Sequence, residues 1–234
     1  MSLFTLIKED FVTVKKNDPA LHSNIELFFN YPGLWALFFY RIANALYHHK
    51  VPYLPRLISA IGQFLTVVDI HPAATIGRRV FIDHGVGIVI GETAVVEDDV
   101  LIYQQVTLGG VSLEKGKRHP TIKSGTVIGA GAKILGNIII GNNVKIGANS
   151  VVVKNVPDNS TAIGIPARII AKGFDKSLLS HNKLPDIDKE VFHYLLKRIA
   201  VLEHAVKTGD HSSIHKKDHE LEEVYNAFLK SMDS

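Results

Sequence analysis

The chain has 234 residues, 46% of them apolar, and a formal net charge of +3 at pH 7. This length allows one or two domains with a sizeable core, and the absence of cysteine excludes disulfides, thiolate metal sites and a cysteine nucleophile. Lys and Arg are spread along the chain, so nucleic-acid binding has little support, although a mildly basic chain is compatible with a polyanionic ligand.

The N-terminal region, residues 1–67, is predicted to be helical. Leu3, Ile7, Phe11 and Val14 repeat at helical spacing, and further helices are expected after residues 32–33 and between residues 55 and 67. The first ten residues include acidic side chains where a secretory signal would be apolar, so we expect a cytoplasmic protein. Charged residues and prolines interrupt the apolar tract at 27–68 well short of a ~20-residue membrane span.

A period of six residues dominates residues 68–172. Aliphatic residues recur at every sixth position from Ile70 to Val106 and again from Ile122 to Val152, and Ala94 is the one member that is neither Ile nor Val. A helix of 3.6 residues per turn would scatter such side chains around its circumference. The period is typical of a parallel β-helix, in which each hexad forms one face of a triangular prism and residues 18 apart stack at roughly 4.8 Å.

Polar residues stand out at two places, a bend within the repeat and the one break in it. The bend after Ile82 carries Asp83 and His84, and ten extra residues, 112–121, form a predicted loop that contains Arg118 and His119. A polar loop on a rigid scaffold is a common place for binding groups, and histidine is suited to proton transfer near neutral pH. Several of the twelve histidines lie in polar or terminal segments where solvation explains them, but these two are candidate functional residues because of where they lie.

The C-terminal tail, residues 173–234, is predicted to be helical as well. Val191, Leu195, Ile199, Leu202 and Val206 form a helical stripe, and a polar linker at 209–218 separates it from a last short amphipathic helix. These stripes are expected to pack on the prism or on a neighbouring subunit.

Several motifs resemble those of the serine O-acetyltransferases. They are DIHPAA at 69–74, IDHG at 82–85, GET at 91–93, VTLGG at 106–110 and GKRHP at 116–120. The ending GIPAR at 164–168 is shared more widely among hexapeptide acyltransferases. The resemblance implies a left-handed β-helix, transfer of acetyl from acetyl-CoA to the hydroxyl of L-serine in cysteine biosynthesis, and no metal.

The resemblance also implies roles for individual residues. His84 matches the general base, and Asp69 matches the acid that orients its imidazole. Asp83 and Asp18 match carboxylates that hold the amino group of serine. The remaining matches are Arg118 for the substrate carboxylate, His119 for the hydroxyl or carboxylate, and Gly109, Gly110, Ala130, Lys145 and Ala148 for CoA.

In the family the site lies between neighbouring β-helices of a trimer. Enteric-type members carry a longer helical N-terminal region that pairs two trimers, so the shorter region here favours a homotrimer. Many members end in an isoleucine that enters O-acetylserine sulfhydrylase, the next enzyme of the pathway, whereas this sequence ends in Ser234, so that docking mode is not expected.

Three other functions fit parts of the pattern. A zinc carbonic anhydrase of the hexapeptide kind also has two histidines about 35 residues apart, but its third ligand would fall at Ser124. An acetyltransferase for homoserine, a sugar or an antibiotic would share the prism, although Asp83 and Arg118 suit a zwitterion. A catalytically silent scaffold would have little reason to keep the polar loop.

Overall fold

The computed structural model describes residues 2–170 and 187–209, which belong to two compact units, Met1–His181 and Asn182–Ser234. In residues 2–170 the first unit has four helices followed by fifteen short strands. The helices are α1 (Leu3–Asn17), α2 (Glu26–Phe29), α3 (Pro32–His48) and α4 (Leu54–Thr66). The strands are β1 (Asp69–Ile70), β2 (Thr75–Ile76), β3 (Phe81–Ile82), β4 (Val89–Ile90), β5 (Val95–Val96), β6 (Leu101–Ile102), β7 (Thr107–Gly109), β8 (Thr121–Ile122), β9 (Val127–Ile128), β10 (Lys133–Leu135), β11 (Ile139–Ile140), β12 (Lys145–Ile146), β13 (Val151–Val152), β14 (Thr161–Gly164) and β15 (Ala167–Ile170).

The strands form three sheets that are the faces of a prism. Face A has the order β1-β4-β7-β10-β13, face B has β11-β8-β5-β2, and face C has β15-β14-β12-β9-β6-β3. All pairings are parallel except that of β15 with β14. The chain turns from face to face at an A/B corner, a B/C corner and a C/A corner in every coil. The predicted left-handed parallel β-helix is therefore confirmed.

The register corrects the predicted positions of the repeat. Val89 on face A pairs with Thr107, three hexads further along the chain, as predicted. Asp69, however, pairs with Val89, which lies two positions beyond three hexads, and Thr107 pairs with Lys133, which lies eight positions beyond. The repeat therefore gains two extra residues at the C/A corner between β3 and β4, and the insertion between β7 and β8 adds only eight residues, not ten. In the structure β7 ends at Gly109 and β8 begins at Thr121.

The sequence pattern does not reveal this two-residue shift in register, because each hexad buries two alternate side chains. Ile88 and Ile90 are both buried, and so are Ala94 and Val96. A six-residue repeat that is read two residues too early therefore still falls on buried side chains. Val96, not Ala94, is the strand residue that stacks on Ile76, so the apparent exception at Ala94 disappears.

The N-terminal helices close one end of the prism. The Tyr40 hydroxyl on α3 donates to the Ala74 carbonyl oxygen at 2.7 Å and accepts from the Ile76 N–H at 3.0 Å. Arg41 donates to the carbonyl oxygens of Ile76 and Gly77, both at 2.7 Å, and is held in turn by a buried ion pair with Asp10. These side chains satisfy the edge of β2, which would otherwise expose backbone groups that can pair with another chain.

The helices predicted in the N-terminal region are confirmed, with the short α2 in addition. The second unit contains α5 (Ile187–Thr208), which confirms the predicted helical stripe of the tail. Apart from Gly209, the predicted linker, the last helix and the end of the chain lie outside the described residues. Among the residues the structure describes, no helix combines the length and apolar character needed to cross a membrane.

Candidate functional site

The C/A corner between β3 and β4 exposes a histidine beside a carboxylate. His84 has the left-handed φ of 58°, and 76% of its side chain is exposed. Its Nε2 lies 3.8 Å from Oδ1 of Asp83, a carboxylate with only 26% of its side chain exposed. Burial raises the pKa of Asp83, the nearby His84 lowers it, and the charge of Asp18 raises it further. The two extra residues of the first coil lie at this corner.

Asp18 reaches the same corner from the end of α1. Its Oδ1 accepts from the Ala20 N–H at 2.7 Å, and its Oδ2 accepts from the Tyr31 hydroxyl at 2.8 Å. Burial and then the Asp18 carboxylate raise the pKa of Tyr31 to about 12, and the charge of Asp83 contributes in the same direction. The structure therefore brings the predicted residues Asp18, Asp83 and His84 together, with a tyrosine that the sequence analysis did not identify.

The A/B corner between β7 and β8 holds the second predicted histidine. His119 is nearly buried, and its Nδ1 accepts from the Thr93 N–H at 3.2 Å and lies 2.8 Å from Thr93 Oγ1. Thr93 Oγ1 already accepts from the N–H groups of Arg118 at 3.0 Å and His119 at 3.1 Å, so its own proton points to Nδ1. This pattern assigns the neutral tautomer with the proton on Nε2, which makes His119 a donor.

The surroundings of His119 keep its ring neutral and fixed. Burial and the adjacent Arg118 lower its pKa, more than Glu92 raises it. A Cβ atom added at Gly91 would lie 2.0 Å from His119 Nε2, so only glycine allows the ring to pack there. The Arg118 guanidinium forms an ion pair with Glu92, and Lys117 Nζ donates to the Thr93 carbonyl oxygen at 2.6 Å. Glu92 and Thr93 appeared in the sequence analysis only as part of a motif, although they organise this corner.

Asp69 is not joined to His84 in the structure. It begins β1 on face A, and its backbone pairs with β4. Within the described residues, the Asp69 side chain forms neither a hydrogen bond nor an ion pair. Its orienting role therefore stays a prediction.

The residues predicted to bind CoA lie on both sides of face A. Gly109 ends β7, and Gly110 follows it at the A/B corner. Ala130 and Ala148 are neighbours at the C/A corner, where the Asn149 N–H donates to the Ala130 carbonyl oxygen at 2.8 Å. Lys145 begins β12 on face C. The small residues therefore lie in pairs at the two edges of face A, and the lysine lies on face C.

Within one chain, the two histidine clusters occupy different corners of the prism. His84 follows β3 and His119 precedes β8, so the strands of face A separate the C/A corner from the A/B corner. The C/A corner has an exposed imidazole beside carboxylates. The A/B corner has a neutral imidazole beside a guanidinium.

No cluster of three His, Cys, Asp or Glu side chains able to hold a metal occurs in the described parts of the chain. Asp18 and Asp83 present negative charge, and Arg118 presents positive charge, which together match a substrate that carries both.

Comparison with known proteins points in the same direction. The family model described as bacterial transferase hexapeptide (six repeats) matches residues 119–154. The chain is 48% identical over 202 residues to the serine acetyltransferase of Synechococcus elongatus, covering 86% of this chain and 83% of that protein.

Two solved structures also resemble the chain. Soybean serine acetyltransferase complexed with serine has a TM-score of 0.69 and 43% identity, with 72% of this chain and 70% of that one covered. A serine acetyltransferase in complex with CoA has a TM-score of 0.68 and 44% identity, with the same shares covered.

Proposed function

This chain belongs to the serine acetyltransferase family, and we propose that its active site joins the C/A corner of one chain to the A/B corner of a neighbour. The enzyme transfers the acetyl group of acetyl-CoA to the hydroxyl of L-serine, giving O-acetylserine and CoA. This reaction belongs to cysteine biosynthesis. Because the chain has no cysteine, it suits a reducing compartment, and we propose that it acts in the cytoplasm.

The observation that carries the mechanism is the exposed imidazole of His84 beside the half-buried Asp83. In our proposal His84 takes the proton of the serine hydroxyl as that oxygen attacks the thioester carbon of acetyl-CoA. The tetrahedral intermediate then collapses with loss of the CoA sulfur, which receives the proton from the imidazolium of His84. Asp69 is proposed to orient this imidazole, as the resemblance implies, and to favour its charged form.

The two corners are proposed to recognise the two charges of serine. Asp83 and Asp18 lie close enough for the charge of one to raise the pKa of the other, and a substrate ammonium between them would relieve that repulsion. Arg118 would bind the substrate carboxylate with the donors that its ion pair with Glu92 leaves unused.

His119 is proposed to donate from Nε2, because its hydrogen bonds with Thr93 assign the proton to that nitrogen. A neutral donor can bind the substrate carboxylate or hydroxyl oxygen without competing as a base. This division of roles assigns proton abstraction to His84 alone.

The acetyl-CoA co-substrate is proposed to lie along the edges of face A. Gly109, Gly110, Ala130 and Ala148 have small side chains that let a pantetheine arm approach the backbone, and Lys145 can face a phosphate. The protein residues provide binding and orientation, and the thioester provides the activated acetyl group.

Assembly into a homotrimer is proposed because it completes the site. Face A keeps the two corners of one chain apart, whereas a neighbouring prism can bring its A/B corner against the C/A corner of the first. A three-fold ring built this way closes and contains three equivalent sites.

The experiment that tests the function is an acetyl-transfer assay with a panel of acceptors. Release of the CoA thiol is measured with serine, homoserine and a simple sugar. We expect the highest kcat/KM for serine, the substrate for which the related enzymes are named, and the lowest for the sugar, which lacks the ammonium and the carboxylate that the two corners are proposed to bind. A sugar that is a better acceptor than serine would contradict the proposal.

A further inference from the structure

Tyr31 links the end of α1 to the corner that carries His84. It is the residue before α3, whose first position is Pro32. A Cβ atom added at the next residue, Gly33, would lie 2.3 Å from the Ile82 carbonyl oxygen, so the start of α3 is pressed against the end of β3. This close contact fixes the backbone position of Tyr31, from which its side chain extends.

The Tyr31 hydroxyl holds one oxygen of Asp18, and the backbone holds the other. Oδ2 accepts from Tyr31 at 2.8 Å, and Oδ1 accepts from the Ala20 N–H at 2.7 Å. With both oxygens fixed, the carboxylate cannot rotate freely, yet each oxygen keeps a lone pair for a further donor. A carboxylate fixed before binding gives up less conformational entropy when an ammonium arrives.

Tyr31 also lies within the electric field of both carboxylates. Burial, Asp18, Glu26 and Asp83 all raise its pKa, so the phenol stays protonated and remains a donor. Its hydrogen bond offsets part of the repulsion between Asp18 and Asp83, and it does so without adding a positive charge that would compete with the substrate.

We propose that Tyr31 is a positioning residue for the substrate ammonium, acting by holding Asp18 in the orientation that faces Asp83. The inference rests on the proposed role of Asp18 in binding serine and adds a residue that the motifs do not contain. Tyr31 acts through Asp18, so it contributes to serine binding and leaves the chemical step at His84 unchanged.

The test is the Tyr31→Phe enzyme, because phenylalanine keeps the ring and removes only the hydroxyl. We expect KM for serine to rise about tenfold, the effect of losing one hydrogen bond to a charged group, with kcat and KM for acetyl-CoA within about twofold of wild type. Tyr53→Phe is the matched control, since Tyr53 is 90% exposed and makes no hydrogen bond to another side chain in the described residues. Its kinetics should match those of the wild type.

The decisive readout uses an inhibitor without an amino group. 3-Hydroxypropionate has the hydroxyl and carboxylate of serine but no ammonium, so its inhibition constant should be the same in wild type and Tyr31→Phe. A serine KM that does not change in Tyr31→Phe would overturn the inference. An equal weakening of serine and 3-hydroxypropionate would overturn it too, because it would indicate a structural role.

The Asp18→Asn enzyme separates this inference from the proposed function. If Asp18→Asn raises KM for serine and Tyr31→Phe does not, only the role of Tyr31 is lost. If neither variant changes KM, the proposed role of Asp18 fails and the inference fails with it. If both raise it, the double variant should be no worse than Asp18→Asn alone, since both changes act through one carboxylate.

Discussion

Thr93 is the residue whose hydroxyl organises the A/B corner, and replacing it with valine removes that hydroxyl while keeping the shape. Its Oγ1 accepts from the N–H groups of Arg118 at 3.0 Å and His119 at 3.1 Å, and lies 2.8 Å from His119 Nδ1. At about 1 kcal/mol for each net hydrogen bond, the corner loses roughly 2–4 kcal/mol of ordering. If about half of that is felt in the transition state, kcat/KM for serine falls roughly 5- to 30-fold.

A second threonine provides the control for Thr93→Val. Thr126 is buried at the B/C corner, where its Oγ1 donates to the Gly141 carbonyl oxygen at 2.8 Å and accepts from the Val144 N–H at 3.4 Å. Thr126→Val should lower the free energy of unfolding by about 1–3 kcal/mol without changing KM for serine. The assays are urea unfolding and steady-state kinetics at saturating acetyl-CoA. Normal kinetics in Thr93→Val, or an equal kinetic loss in Thr126→Val, would refute the role assigned to this hydroxyl.

The other predictions concern the base, metal and pH. His84→Ala should lower kcat by about 10²–10⁴-fold with acetyl-CoA binding unchanged. Asp69→Asn should lower kcat much less in the His84→Ala enzyme than in the wild type, because both changes act through one imidazole. Exhaustive chelation should leave activity intact. Burial lowers the pKa of His119 below the ordinary 6.5, so the stability it contributes is complete above that pH and declines as the pH falls. His119→Gln should therefore lose less stability than wild type between about pH 7.5 and about pH 5.5.

Each of these predictions has an outcome that contradicts it. Near-normal turnover of His84→Ala would remove the proposed base, and full additivity with Asp69→Asn would separate the two residues. Activity that disappears with a chelator and returns with zinc would favour the carbonic-anhydrase alternative. For His119, urea unfolding at both pH values gives the comparison, and an equal loss of stability in the wild type and His119→Gln would show that this ring does not titrate as described.

The fold could be predicted from the sequence because the β-helix repeats one local rule. Inward aliphatic residues at a period of six determine the strands, and the confirmed helices follow apolar spacing in the same way. The two-residue slip near Ile88 could not be detected, since Ile88 and Ile90 are both buried and either continues the count. What distinguishes them is the pairing of Ile90 with Ile70 on β1, a contact between neighbouring coils that no local pattern records.

The candidate site was predicted less completely, because motifs identify residues and not their partners. The motifs named His84 and His119 but could not show that they occupy different corners of one prism. Tyr31 was missed because its contact with Asp18 depends on how α3 docks on β3 through Gly33. A weak signal existed in Pro32 and Gly33, which mark the start of α3 directly after the tyrosine.

The central claim is that one active site uses His84 of one chain and His119 of another. The most direct measurement co-expresses His84→Ala and His119→Ala chains with different tags and purifies the mixed oligomers. In the proposed three-fold ring, every mixed oligomer has both histidines intact at one interface in three, so about a third of wild-type activity should return. Mixing His84→Ala with Asp83→Ala is the control, because both changes lie at the same corner, and it should restore nothing. Inactive mixed oligomers of His84→Ala and His119→Ala would contradict the claim and assign the whole site to a single chain.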